Sequence, residues 1–201
     1  MTNEYELQNG RQNLCRAIKY IAWGYVLLYL DVNLATFNIL PDWLGFLLIL
    51  FALPALADEV PSAALLRPFA ILLAAWEGFE WLAKLFGASL GIDLTVPFLI
   101  INVIVLYFHF QLLTDLATLS EKFDCPQTAM LLRLRTVNTL IATALALPLP
   151  WEQAEWLAIT ALLVYGAIVI WICAVLFGLK RSLTEEENNE ETEEEETESP
   201  E

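Results

Sequence analysis

The stretch WLAITALLVYGAIVIWICAVLFGL, residues 156–179, contains no charged residue and decides the fold. As a helix rising about 1.5 Å per residue, it would reach about 36 Å, which is enough to cross the roughly 30 Å of hydrocarbon in a bilayer. The composition agrees, because 58% of the residues are hydrophobic and the mean hydropathy is +0.56, whereas soluble domains are roughly 45–50% apolar. The sequence therefore predicts a membrane protein.

Working outward from this segment, further apolar windows recur along the chain with no room for a soluble domain between them. The predicted spans cover 17–40, 43–57, 68–86, 96–113, 137–149 and 156–179. Each run is continuous rather than alternating between apolar and polar positions, which favours helices over a β-barrel. We therefore expect an all-α, polytopic helical bundle of six spans, with an N-terminal arm at 1–16, a membrane domain at 17–181 and a disordered acidic tail at 182–201.

The basic residues predict the orientation of this bundle. With the N-terminus in the cytoplasm, Lys84 is the single outward-facing residue among the ten Lys and Arg residues, as the positive-inside rule requires. Trp43, Trp81, Trp151 and Trp156 then fall at the predicted outer boundary, where indole rings favour the headgroup region. Both patterns predict that the two termini are cytoplasmic.

Spans two and five are predicted to be short. Their 15 and 13 residues would reach only about 22 and 20 Å as helices, and prolines flank or interrupt both. In a three-plus-three arrangement they would be counterparts in two halves of opposite orientation, which is typical of inverted-repeat transporters. Alternatively, they are short helices covered by longer neighbours. The segment 116–136 is predicted to be the largest inner loop, with a basic amphipathic piece on the membrane surface.

A polar stripe marks the outer half of the first span. Asp31 and Asn38 are seven residues apart and would share one helical face, which Asp42 would join if the helix continued through Pro41. Charged groups at membrane depth cost at least about 2.5–3.5 kcal/mol, so they are candidates for function. The alternative is a helix end, in which Asn38 forms a turn and Asp42 caps the next helix.

The third span carries two glutamates, Glu77 and Glu80, followed by Lys84. Glu80 and Lys84 are spaced for an ordinary i,i+4 ion pair. Glu77 has Trp81 at its i+4 position and lies deeper, so it is the leading single candidate for proton exchange or cation coordination. The alternative is a neutral carboxyl hydrogen-bonded to another helix.

The fourth span places Asn102 and His109 seven residues apart on one face. A lone histidine in a bundle is more often an interhelical hydrogen-bond partner than a ligand. No Glu-x-x-His spacing occurs on this helix, so we predict no metal site.

Enzyme motifs are also lacking in the sequence. No H-E-x-x-H, G-x-S-x-G, C-x-x-C or glycine-rich phosphate loop occurs, and no basic nucleic-acid patch. Cys15, Cys125 and Cys173 are widely spaced and give no disulfide framework. We therefore predict no catalytic residue, no cofactor and no nucleic-acid partner, although membrane enzymes need not use these motifs.

The net charge of −15 comes mostly from the C-terminal tail. Residues 185–201 hold eleven glutamates, and removing them from the total leaves −4 for the rest of the chain. Such a run is either a solvated extension or a docking segment for a basic protein partner.

The segment YLDVNLATFNILPDWLGFLLI resembles a family of small six-span bacterial integral membrane proteins of no assigned function. The resemblance covers about residues 30–50. The matching positions are Asp31, Asn33, Asn38, Leu40, Pro41, Asp42, Trp43 and Gly45. It implies a bacterial cytoplasmic (inner) membrane and no mechanism.

Two function classes follow from these patterns. In the first, the chain is a small transporter or permease for a small solute or cation, with Asp31, Asn38 and Glu77 lining a polar cavity. In the second, it is a membrane scaffold or regulatory subunit that recruits a protein partner through its inner loop or acidic tail. The two differ in whether Asp31, Glu77 and His109 meet at one cavity.

Overall fold

A computed structural model describes residues 2–29, 33–34, 37–38, 42–86, 95–146 and 155–198. The helices are α1 (Thr2–Tyr29), α2 (Asp42–Glu59), a 3₁₀ helix (Pro61–Leu65), α3 (Leu66–Leu85), α4 (Thr95–Lys122), α5 (Thr128–Ala146) and α6 (Glu155–Glu198). Two-residue strands, β1 (Asn33–Leu34) and β2 (Phe37–Asn38), pair antiparallel between α1 and α2. The predicted all-α class is confirmed, with this small hairpin as its one addition among the described residues.

Four of the described helical segments are long and apolar enough to cross a membrane. They are Pro61–Leu85, Thr95–Lys122, Thr128–Ala146 and Ile159–Glu185. In α2, 18 residues would reach about 27 Å, but acidic residues lie at both ends. The multi-pass membrane character is therefore supported, while the count of six spans stays a prediction.

The first helix ends earlier than predicted. The predicted span continued to residue 40, whereas α1 ends at Tyr29 and Asn38 lies in β2, paired with Asn33. The continuous helical face predicted for Asp31 and Asn38 therefore does not form. Asp and Asn side chains compete for backbone hydrogen bonds and so favour turns over helix interiors, and this segment is rich in them.

The fourth and fifth helices are longer than predicted, because a tight turn joins them in place of a long inner loop. Asp124 adopts a left-handed conformation with φ of 47°, and the Cys125 N–H donates to the Ser120 carbonyl over 2.8 Å. This bond closes α4 in the manner of a Schellman motif. Helix α5 then begins at Thr128 and has 19 residues, about 28 Å, so it is longer than the predicted 13-residue segment. The position of the basic piece on the membrane surface stays a prediction.

The acidic tail is helical through most of its length. Helix α6 continues to Glu198, whereas the sequence predicted disorder over 182–201. A helix that is already nucleated in the membrane segment extends at little cost, and glutamate has a high helix propensity. Arg181 donates to Glu185 Oε1 over 2.7 Å at the start of this extension.

At one end of the bundle, the last turns of α2 and α4 and the turn before α5 meet the interior of α1 and α6. The contacts there are the Arg11 guanidinium over the Phe123 ring at 5.6 Å, Lys122 Nζ to Glu59 Oε2 at 2.7 Å, Thr184 Oγ1 to Cys15 Sγ at 3.8 Å, and Gln127 Nε2 to Ser182 Oγ at 2.9 Å. We call this the basic end, because Arg11, Lys122 and Arg181 all belong to it.

Helices α1 and α2 approach closely where two glycines face each other. A Cβ atom on Gly24 would lie 2.9 Å from the Gly45 carbonyl oxygen, and one on Gly45 would lie 2.8 Å from the Gly24 carbonyl oxygen. Small residues allow this backbone contact between membrane helices. The contact holds α1, which carries Tyr25, close against α2.

Candidate intramembrane cavities

The single histidine is buried among aromatic rings and bonded to α1. His109 on α4 is 4% exposed, and its Nδ1 atom shares a hydrogen bond of 3.1 Å with the hydroxyl of the fully buried Tyr25. The rings of Phe46 and Phe108 lie 6.4 and 5.6 Å from the imidazole. This is the interhelical hydrogen bond considered from the sequence, in a setting that disfavours charge on the ring.

A second hydroxyl pair joins α1 to α6. The hydroxyls of Tyr29 and Tyr165 are 3.0 Å apart and hydrogen-bonded, and their rings meet edge to face at 5.8 Å. Tyr29 also lies 6.0 Å from His109, between centroids. The two bonded pairs thus form one cluster of neutral polar groups in the middle of the bundle.

Two cavities adjoin this cluster, and Tyr165 lines both of them. The first, which we call the α1–α6 cavity, has a volume of about 660 Å³. Its polar lining is Tyr29, Asp42, Tyr165 and Cys173, and the remainder is apolar apart from Gly166. An apolar wall with a few polar groups is the usual composition of a small-molecule site.

The second, the α4–α5 cavity, has a volume of about 470 Å³. Asn102, His109, Asn138, Thr143 and Tyr165 supply its polar groups. Asn138 is 2% exposed, and its Oδ1 atom has no hydrogen-bond partner among the described residues. A buried carbonyl oxygen without a partner costs about 1–3 kcal/mol, so this oxygen is a local cost to the stability of the bundle beside the cavity.

The residues predicted from the sequence are not brought together in one place. Asn102 and His109 line the α4–α5 cavity, and Asp42 lines the α1–α6 cavity. Asp31 lies outside the described residues, and Asn38 is described only through its backbone in β2. The cavity that contains Asn102 and His109 and the cavity that contains Asp42 therefore share one lining residue, Tyr165.

The glutamates of α3 line neither of these cavities. Glu77 is half-buried and within electrostatic range of Glu80, Asp42 and Lys84. The predicted Glu80–Lys84 ion pair is confirmed, with Nζ and Oε2 3.5 Å apart. Glu77 thus sits in a charged environment on α3 near the start of α2, apart from the histidine.

Sequence reasoning missed the tyrosines and Asn138. Tyr25 and Tyr29 are four residues apart and face inward together, and Asn138 is a lone amide within a predicted span. Their positions could have been noticed, because uncharged hydroxyl and amide groups inside apolar helices commonly form hydrogen bonds between helices. The prediction weighed charged residues more heavily.

A separate polar group lies near the basic end. Asp115 is 1% exposed; its Oδ1 atom accepts bonds from Ser62 Oγ at 2.6 Å and Gln111 Nε2 at 2.8 Å. These bonds fasten the 3₁₀ helix to α4. Asp115 was not among the predicted site residues.

Within the described part of the chain, no group of three or more His, Cys, Asp or Glu side chains is arranged to hold a metal ion. The fold and its cavities define a multi-pass helical membrane protein. Comparison with protein-family models, with curated proteins and with solved structures gives no match.

Proposed function

We propose that this chain is a small transporter or permease that moves a small solute through the two cavities flanking Tyr165. The observation that carries the proposal is that Tyr165 lines both cavities and that its hydroxyl is hydrogen-bonded to Tyr29, its one side-chain hydrogen bond among the described residues. Both cavities are within the size range of small-molecule sites, about 300–1,000 Å³.

The hydrogen bond between the Tyr29 and Tyr165 hydroxyls is weak enough to open and close during transport. A neutral hydrogen bond contributes only about 0.5–1.5 kcal/mol net, so rotation of the Tyr165 side chain is accessible on functional timescales. Breaking the Tyr29–Tyr165 bond would free the ring that lies at both cavities. Alternating access then requires a small change at α1 and α6 rather than a rearrangement of the bundle.

The test is solute flux into proteoliposomes. Glycerol, urea and propanamide are offered as neutral solutes, and Na⁺ and K⁺ as cations, to wild type, Tyr165→Phe and the control Tyr20→Phe. Tyr20 is an exposed tyrosine of α1, at 38%. We expect wild type and Tyr20→Phe to exceed protein-free liposomes equally for at least one solute, and Tyr165→Phe to change that rate several-fold. Rates equal to those of protein-free liposomes for all five would refute transport.

The proposal includes six spans, both termini in the cytoplasm, and a bacterial cytoplasmic membrane. Its support is the basic end, where Arg11, Lys122 and Arg181 gather, as expected of a cytoplasmic face. A fluorescent protein fused after residue 201 should fold and fluoresce in the cytoplasm. A phosphatase that is active only after export should be inactive when fused at the same position. An active phosphatase and a non-fluorescent fusion would contradict the orientation.

The second candidate function is a scaffold or regulatory subunit. Helix α6 has 44 residues, about 66 Å in length, which is twice the roughly 30 Å hydrocarbon thickness. Its glutamate-rich part therefore offers a long acidic helix to a basic protein. If this role is correct, removing residues 186–201 releases a basic partner from the purified complex while leaving solute flux unchanged.

A further inference from the structure

We propose that a groove between α1 and α2 at the basic end binds a phospholipid whose headgroup carries a primary ammonium group, as phosphatidylethanolamine does. In this site Arg16 pairs with the lipid phosphate and Asp58 pairs with the ammonium group. The groove is separate from the two cavities beside Tyr165, and the binding does not depend on transport.

The groove has a volume of about 290 Å³ and contains charges of both signs. Arg16 on α1 and Asp58 on α2 line it, together with the polar side chains of Asn13 and Tyr20. All four residues are exposed, and none of the four side chains forms a hydrogen bond or an ion pair with another residue in the described part of the chain. Both charges are therefore accessible to a ligand.

The groove lies at the level where the bundle meets the membrane surface. Glu59, the neighbour of Asp58, pairs with Lys122 at the basic end, and Lys122 is the last residue of a helix that is long and apolar enough to cross a membrane. Charged side chains are costly within hydrocarbon. The basic end is thus at the level of the lipid headgroups.

Apolar and charged groups follow one another in a definite order along this groove. Gly24 and Gly45, whose backbones face each other, give α1 and α2 a common reference level. From that level towards the basic end, Phe51 is six residues away, Arg16 is eight and Asp58 is thirteen, which corresponds to about 9, 12 and 20 Å. The aromatic ring is therefore innermost, the guanidinium group is next, and the carboxylate is nearest to the membrane surface.

A phospholipid in a bilayer presents its own groups in the complementary order. Its acyl chains are innermost, its phosphate is next, and the ammonium group of an ethanolamine headgroup is outermost. The chains would lie on Phe51, which is 68% exposed, while the phosphate meets Arg16 and the ammonium group meets Asp58. Opposite charges are then adjacent at both positions, which is favourable.

The combination of one cation and one anion selects the type of headgroup. Phosphatidylglycerol would pair with Arg16 but would bring no positive charge to Asp58. Phosphatidylcholine carries both charges, but its quaternary ammonium group has no N–H and cannot donate a hydrogen bond to the carboxylate. A primary ammonium group can form this charge-assisted hydrogen bond, which is stronger than a neutral one.

Lipid binding to the purified full chain tests this assignment. Native mass spectrometry of the protein in detergent measures how much phosphatidylethanolamine, phosphatidylcholine and phosphatidylglycerol bind, when lipids with identical acyl chains are added in equal amounts. The variants are Arg16→Gln and Asp58→Asn. Their matched controls, Arg133→Gln and Asp124→Asn, remove the same charges at exposed positions outside the groove, and asparagine tolerates the left-handed backbone at position 124.

We expect wild type to bind phosphatidylethanolamine in preference to the other two lipids. Asp58→Asn should lower the ratio of bound phosphatidylethanolamine to bound phosphatidylglycerol about 1.4–5-fold, as for the loss of an exposed ion pair. Arg16→Gln should weaken the binding of all three lipids by a similar factor, because the phosphate is common to them. The two control variants should bind all three lipids as wild type does.

Three results would overturn the inference. Equal binding of phosphatidylethanolamine and either other lipid by wild type, or an unchanged preference in Asp58→Asn, would contradict recognition of the ammonium group. An effect of Arg16→Gln no larger than that of Arg133→Gln would remove Arg16 from the site. Glycerophosphoethanolamine has the same headgroup without acyl chains; if it displaced the lipid at an equal concentration, the ligand would be a soluble molecule and not a phospholipid.

Discussion

Replacing Gly45 by alanine should destabilise the protein, even though alanine favours helix. The new Cβ would lie 2.8 Å from the Gly24 carbonyl oxygen and 2.6 Å from Leu28 Cγ. An ordinary contact of 3.4 Å would require α1 and α2 to separate by about 0.6 Å, because the carbonyl is backbone and cannot rotate away. Overpacking of this kind costs about 1–3 kcal/mol.

Gly166→Ala is the matched control, since a Cβ at Gly166 meets nothing within 4 Å. Both glycines lie inside helices, so both substitutions gain a similar helix propensity of about 0.8–1.0 kcal/mol. That gain cancels when the two variants are compared, and the difference between them is the cost of the α1–α2 contact. We expect Gly45→Ala to be less stable than Gly166→Ala by about 1–3 kcal/mol.

The assay is reversible unfolding of the purified protein by SDS in mixed micelles, followed by circular dichroism. A second readout is the near-ultraviolet absorbance of the tyrosines. It should change in Gly45→Ala if separation of α1 from α2 moves Tyr25 away from His109. Equal unfolding free energies for Gly45→Ala and Gly166→Ala would refute the close approach of α1 and α2, and with it the account of how Tyr25 is positioned.

Two further predictions concern buried polar groups and use the same unfolding assay. Tyr25→Phe should cost about 1–3 kcal/mol, because it leaves Nδ1 of the buried His109 without its partner, whereas Tyr20→Phe at an exposed position should change stability by less than about 0.5 kcal/mol; equal effects of the two would contradict the Tyr25–His109 bond. Ser62→Ala should cost about 1–3 kcal/mol, because a hydrogen bond to the buried Asp115 carboxyl is lost, and an unchanged unfolding free energy would show that this bond does not fasten the 3₁₀ helix.

The continuous apolar segments predicted the helical class and the position of the third span closely. The segment 68–86 corresponds to α3, Leu66–Leu85, because an uninterrupted apolar run leaves helix as the only way to satisfy the backbone in a membrane. Helix ends were harder to predict. The left-handed Asp124 that closes α4 and the strand pairing of Asn33 with Asn38 depend on local backbone geometry, which a hydropathy pattern does not contain.

The candidate site could be predicted only in part, because its members come from four helices. His109 and Asn102 were identified from their shared face, but their relation to Asn138 and Tyr165 depends on how α4, α5 and α6 pack. Spacing along one helix cannot show which residue of another helix it meets. Glu77 illustrates the converse: it is conspicuous in the sequence and yet lines neither of the cavities beside His109.

The chemistry of the cluster explains why neutral groups, and not the carboxylates, lie at its centre. A charge in the hydrocarbon region costs several kcal/mol unless it is paired, whereas hydroxyl, imidazole and amide groups can be buried at small cost if each finds one partner. Tyr25 with His109, and Tyr29 with Tyr165, meet that condition. Asn138 does not meet it, because its Oδ1 atom is buried without a hydrogen-bond partner among the described residues. The same reasoning separates the two cavities, because Asp42 gives the α1–α6 cavity a carboxylate that the α4–α5 cavity lacks among its described lining residues.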